Sequence, residues 1–123
     1  MIYTIENEYL RVKVSTVGAT LVSFIDKKTN TDIVLGFDDQ ASYFKNTGPH
    51  LGATVGRNAN RIAEGSFVIN GEKYQLSLNE SGICLHSGVG DLSFRGYTLK
   101  ELKEDEIVLS LFDGDMSGGF PGN

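Results

Sequence analysis

Ser66-Phe67-Val68-Ile69-Asn70-Gly71-Glu72-Lys73-Tyr74-Gln75-Leu76 reads as a β-hairpin. Two β-prone runs flank Asn-Gly, a pair that takes the two positive φ angles of a type I′ turn at low cost. The same grammar recurs on either side. Leu10, Val12 and Val14 alternate with Arg11, Lys13 and Ser15, the period of a half-buried strand. Ala19–Ile25 and Ile33–Gly36 flank the polar connection Lys27–Asp32 and read as a second hairpin. Tyr97–Leu102 and Glu106–Phe112 flank Lys103-Glu104-Asp105 as a third. In its last strand Ile107, Leu109 and Leu111 alternate with Val108, Ser110 and Phe112, so both faces carry apolar groups and the strand is expected to be covered on both sides. Helical signals are thin: Asp38–Lys45 allows about two turns. Fifteen glycines against two prolines suit many tight turns. The expected fold is all-β, an antiparallel β-sandwich or similar double-sheet architecture.

Composition narrows the function classes. The chain has 123 residues, 16 acidic and 11 basic, for a formal net charge of -5. Its basic residues are scattered, with Lys27-Lys28 the one adjacent pair, so no electrostatic footprint for nucleic acid is expected. No run approaches the ~18 apolar residues of a membrane span. The start of the chain lacks a basic region followed by an apolar one, so a cytoplasmic protein is expected. One cysteine, Cys84, excludes an internal disulfide and a multi-cysteine zinc site. The glycine-rich ending Asp113–Asn123 follows a strand that reads as central, and a chain that continues beyond it is weighed evenly against a frayed tail.

Few residues could carry chemistry. His86 follows the apolar run Ile83-Cys84-Leu85 and precedes Ser87-Gly88-Val89-Gly90, which puts an imidazole at the end of a rigid strand and the mouth of a loop. His50, in the loop Asn46–Gly52 that is read as entering a strand, is given no role. Gly56-Arg57-Asn58-Ala59-Asn60-Arg61-Ile62 concentrates forked hydrogen-bonding groups between apolar runs. Such groups suit a sugar's hydroxyls. From spacing alone, the commoner use of two such arginines is to bind backbone carbonyls or pair with carboxylates at a sheet end. Cys84 reads as a small buried hydrophobe, although a strand would put it on the same face as His86. Asp113 and Asp115 faintly suggest a calcium loop but lack its full ligand spacing.

Three blocks together resemble the aldose 1-epimerases, the galactose mutarotases. Gly52–Phe67 resembles the family's G-R-x-A-N-R-I-x-x-G-x-F block, with Asn70–Leu76 and Asn79 fitting the same run, Leu85-His86-Ser87-Gly88 resembles its L-H-G-G block, and Gly119-Phe120-Pro121-Gly122-Asn123 its G-F/Y-P-G-N loop. Order and spacing agree over the whole chain. The resemblance implies that residues 1–123 are the N-terminal part of a single mutarotase-like β-sandwich domain about twice this length. It implies interconversion of α and β anomers of a free aldose by acid–base ring opening, without metal or cofactor. It assigns Asn60, Arg61 and His86 to substrate binding.

The family's general acid, a histidine in an N-H-x-Y-F block, and its general base, a late glutamate, have no counterpart in residues 1–123, so no catalytic residue is assigned here and these residues alone are expected to be inactive. A later sugar-binding aspartate is likewise without a counterpart. Ser87 stands where the family has glycine, and Gly90–Phe94 and Tyr97 replace the usual Gly-Phe-Asp-Lys and Trp, which bears on sugar specificity. The expected partner is a monosaccharide, with no nucleic acid and no membrane, and unpaired sheet edges predict self-association. Two alternatives stay open. One is a non-catalytic carbohydrate-binding β module. The other is a sugar-phosphate epimerase-like branch, which would ask for more cations than Arg57 and Arg61.

Overall fold

The computed structural model describes residues 1–45 and 48–123. Chain contacts divide them into two compact units, Met1–Thr54 with Ser93–Leu111, and Val55–Leu92 with Phe112–Asn123. Strands dominate both, and every pairing between the named strands is antiparallel.

The first unit is built on a four-stranded sheet in the order β1 (Ile2–Glu6), β2 (Leu10–Ser15), β3 (Thr20–Asp26), β4 (Thr31–Asp32). β2 shows the expected alternation, with Arg11 and Lys13 exposed between partly buried Leu10, Val12 and Val14. The partner of β3 is not Ile33–Gly36 but the two-residue β4, because the chain reverses tightly through Asn30 at φ 53°. The Asp32 carboxylate then accepts the amides of Phe24 and Val34, a side chain standing in for ladder bonds, and Ile33 and Leu35 stay exposed. The short helix α1 (Gln40–Phe44) falls within the expected stretch, and the Asp39 carboxylate caps it by accepting the Ser42 amide at 3.0 Å. α1 delivers Tyr43 into a core with Val17 and Val22, where its hydroxyl accepts the Phe37 amide at 2.9 Å.

The strand expected after His50 does not form among residues 51–55. Gly52, at φ 63°, and Thr54 instead make single bonds to the backbone of Leu21 and Gly18. The part of that reading on Asn46 and Thr47 lies outside the described residues.

The expected third hairpin is present as β9 (Thr98–Leu102) and β10 (Ile107–Ser110), with a register shift between Val108 and Leu109. Residues 1–123 do not themselves cover both faces of its last strand: Val108 is 38% exposed and Phe112, beyond the strand, 74%. Alternating apolar groups there mark two faces, of which one is open.

The second unit contains the opening hairpin, β6 (Ser66–Ile69) and β7 (Glu72–Gln75), in register from Ser66↔Gln75 to Ile69↔Glu72. Asn70 and Gly71 have φ angles of 52° and 83°, as a type I′ turn demands. Cross-strand partners Phe67 and Tyr74 stack at 5.5 Å between ring centroids, and Phe120 meets Phe67 at 5.7 Å. Phe67 and Ile62 pack against a core of Leu76, Cys84 and Phe120. Burial of each large apolar side chain contributes about 1.5–3 kcal/mol. β5 (Arg61–Ala63) pairs with β8 (Ile83–Leu85), and this short ladder positions the candidate site.

Candidate functional site

The register Arg61↔Leu85 places the start of β5 beside the end of β8. The residues just outside that rung are Asn60 and His86, and both are left-handed, at φ 68° and 51°. The ladder continues through them in altered form. The His86 amide donates to the Asn60 carbonyl at 3.0 Å, and the Asn60 amide donates to His86 Nδ1 at 3.1 Å. The two residues thus hold each other, one bond through backbone and one through the ring. An accepting Nδ1 fixes the neutral tautomer with its proton on Nε2. A positive φ is costly for non-glycine residues and persists where surrounding bonds enforce it.

Arg61, on the next rung inward, sends its side chain to Glu80. Nε meets Oε2 at 2.7 Å and Nη2 meets Oε1 at 3.1 Å, while Nη1 lies 3.4 Å from Asn60 Oδ1. The Glu80 bond holds the Arg61 guanidinium above its already high pKa, and the Arg61 bond holds the Glu80 carboxyl below the usual carboxylate range. Asn79, beside Glu80, turns its amide onto Leu85, accepting its N–H at 2.7 Å and donating to its carbonyl at 2.9 Å. That amide anchors the residue directly before His86. Sequence reasoning placed Asn79 in the motif run without a role and did not single out Glu80, because their partners are set by the β5–β8 ladder rather than by local pattern.

The loop after His86 is equally determined. Ser87 and Gly88 continue the positive-φ run at 68° and 57°. Ser87 is fully buried, and its hydroxyl accepts the Asn58 amide at 2.7 Å and donates to the Asn58 carbonyl at 3.2 Å. The serine in place of glycine is therefore committed to joining the two motif loops. A Cβ on Gly88 would collide with Ser77 Oγ, which accepts the Val89 amide at 3.0 Å.

Of the groups singled out from sequence, the structure brings together Asn60, Arg61 and His86. Arg57 stands apart from them in role. Its Nε meets Asp113 Oδ2 at 2.6 Å, Nη2 donates to the carbonyls of Asp113 and Gly114, and Nη1 to those of Phe120, Pro121 and Gly122. The reading in which arginines serve carbonyls and carboxylates thus holds fully for Arg57 and partly for Arg61. Asp113 and Asp115 answer the same loop, Asp115 accepting the Gly122 amide at 2.6 Å. Cys84 is fully buried, and burial pushes its thiol pKa up. The same-face rule that linked it to His86 fails because His86 lies past the strand end at a left-handed φ. His50 belongs to the other unit, its Nδ1 3.1 Å from the Gly48 carbonyl and its ring beside Phe94. That unit also carries a hollow of about 330 Å³ whose wall includes Lys13 and Asp32.

An exposed guanidinium end, an imidazole that accepts a backbone amide and a side-chain amide thus stand together at the end of the β5–β8 ladder of an all-β fold. The chain belongs to the aldose 1-epimerase family, whose description matches residues 1–123. It is 33% identical over 123 residues to a galactose mutarotase of Bos taurus and 37% identical over 123 residues to an aldose 1-epimerase of Haemophilus influenzae, in each case across 98% of this chain and 35% of the relative. The crystal structure of a GalM/aldose epimerase homologue from C. elegans superposes with a TM-score of 0.90 at 29% identity, covering 99% of this chain and 38% of that one. The chain therefore spans about a third of the length of the curated relatives it matches, not the half expected from its motifs.

Proposed function

We propose that the protein carrying these residues interconverts the α and β anomers of a free aldose, and that Asn60, Arg61 and His86 bind the sugar. What supports this reading most is the reciprocal Asn60–His86 lock with Arg61 one rung away. It ties the His86 ring to the backbone beside Arg61, and in-place ring opening asks for groups held in position. In the reaction a base takes the C1 hydroxyl proton while an acid protonates the ring oxygen. The ring opens to the aldehyde, C1 rotates, and the ring closes on its other face. Arg61 and His86 orient the ring. The proton-moving acid and base are assigned outside residues 1–123, and no metal or cofactor is invoked. We further propose that residues 1–123 are one part of a single β-sandwich domain in a cytoplasmic protein. Among the described residues no helix is long and apolar enough to cross a membrane.

Polarimetry on freshly dissolved α-galactose and α-glucose tests the reading, using the protein as its gene encodes it. The rate is expected to exceed spontaneous mutarotation. Arg61→Ala is expected to lower kcat/KM by about 10- to 100-fold, the loss of a charged hydrogen bond to substrate. Residues 1–123 alone are expected to give no acceleration, and acceleration by them would place the acid and base within this stretch. Exposed Val68, Ile69, Leu78 and Val89 favour self-association of that isolated stretch, measurable by light scattering.

A further inference from the structure

The Arg61 guanidinium is approached from two sides, and the chemistry of each side differs. Glu80 takes the Nε–Nη2 edge with both carboxylate oxygens, at 2.7 and 3.1 Å. Asn60 Oδ1 stands 3.4 Å from Nη1. Five N–H donors make up the guanidinium fork, and the carboxylate engages two of them. Donors on Nη1 and Nη2 remain at the outer end, and the side chain is 55% exposed. Arg61 can therefore still donate to a ligand, but its charge is already matched by an ionised carboxylate.

The other cation of the motif offers no substitute. Arg57 is paired with Asp113 and saturated by carbonyls. Across Val55–Leu92 with Phe112–Asn123, six carboxylate side chains stand against three cationic ones. A hydroxyl needs only a polarised N–H, which the paired guanidinium supplies. A phosphate is close to a dianion at neutral pH and seeks uncompensated positive charge. At this edge it would meet a cancelled field and a facing carboxylate.

We propose that Glu80 is a specificity-determining residue, which tunes the Arg61 edge to uncharged aldoses and against phosphorylated ones. This rests on the reading that Arg61 touches the sugar, and it names the substrate class of that same site. A dianion roughly 6 Å from a carboxylate in a water-like dielectric is disfavoured by about tenfold. Removing the Glu80 charge returns that factor, and more where the site is partly desolvated.

Titration calorimetry of the gene-encoded protein with galactose and galactose 6-phosphate, at low salt and neutral pH, tests the proposal. The wild type is expected to bind galactose more tightly. Glu80→Gln, with Glu80→Ala as second variant, is expected to shift the affinity ratio about tenfold or more toward the phosphate. An unchanged ratio overturns the proposal, and so does equal weakening of both ligands, which makes Glu80 a mere support for Arg61. A wild type that prefers the phosphate also overturns it. Galactose binding that Arg61→Ala leaves untouched sinks the underlying reading instead, and identifies that failure separately.

Discussion

Replacing Arg57 by alanine removes one guanidinium that makes six polar contacts, between 2.6 and 3.4 Å, with the segment Asp113–Gly122. The ion pair at its centre is largely shielded, its side chains 20% and 11% exposed. Charged hydrogen bonds contribute about 1.5–3 kcal/mol each, but contacts of one fork are not additive. Breaking a buried pair from one side costs about 3–5 kcal/mol, because the other charge is left uncompensated. Allowing for partial solvation of Arg57, Arg57→Ala is expected to cost about 2–4 kcal/mol. Arg57→Lys keeps the charge but cannot reach carboxylate and carbonyls on three sides, so about half that loss is expected. Urea unfolding of the gene-encoded protein measures the total. Hydrogen exchange distinguishes global loss from local opening, and the amides of Phe120 and Gly122 are expected to lose protection first. An Arg57→Ala protein within about 0.5 kcal/mol of wild type would refute the clamp. An Arg57→Lys protein equal to wild type would show that fork geometry is irrelevant to it.

Asn79→Ala deletes both amide bonds to Leu85, and is expected to cost about 1 kcal/mol and to speed exchange of the Leu85 and His86 amides, read by hydrogen exchange. Cys84 is expected to resist a thiol reagent in the native state and react on unfolding. Because its native thiol titrates above the ordinary value near 9.0, stability from this group is whole below that pH and declines as pH rises through the native pKa, as a pH series of unfolding midpoints would show. Asp32 behaves oppositely. The Ser23 hydroxyl first, then the Phe24 and Val34 amides, hold its carboxyl below the ordinary 3.8, so its contribution is present above that pH and lost as pH falls through the lower native value. An Asp32→Asn protein is expected to show a shallower acid limb in the same series.

The sequence announces elements whose period or turn chemistry is local. β2 alternates cleanly, Asn70-Gly71 dictates its turn, and the short helix falls within the stretch Asp38–Lys45. β4 was misplaced because Ile33-Val34-Leu35 looks like a strand, while the pairing is set by the tight reversal at Asn30. β1 escaped because Ile2, Tyr3 and Ile5 break the period of two. The site divides the same way. Arg61 and His86 were legible as residue types in motif blocks, and β5–β8 pairing makes them neighbours. That Glu80 partners Arg61, Asn79 partners Leu85 and Asp113 partners Arg57 is set by pairing and loop closure, which no local pattern encodes. That is why the two arginines, alike in sequence, part company in the fold.

The central claim concerns where the sugar lies. A crystal structure of the gene-encoded protein with galactose tests it most directly. The account predicts a pyranose with oxygens within about 3.2 Å of an Arg61 Nη atom and of His86 Nε2. A sugar seated elsewhere, with Arg61 and His86 making no contact to it, would contradict the account.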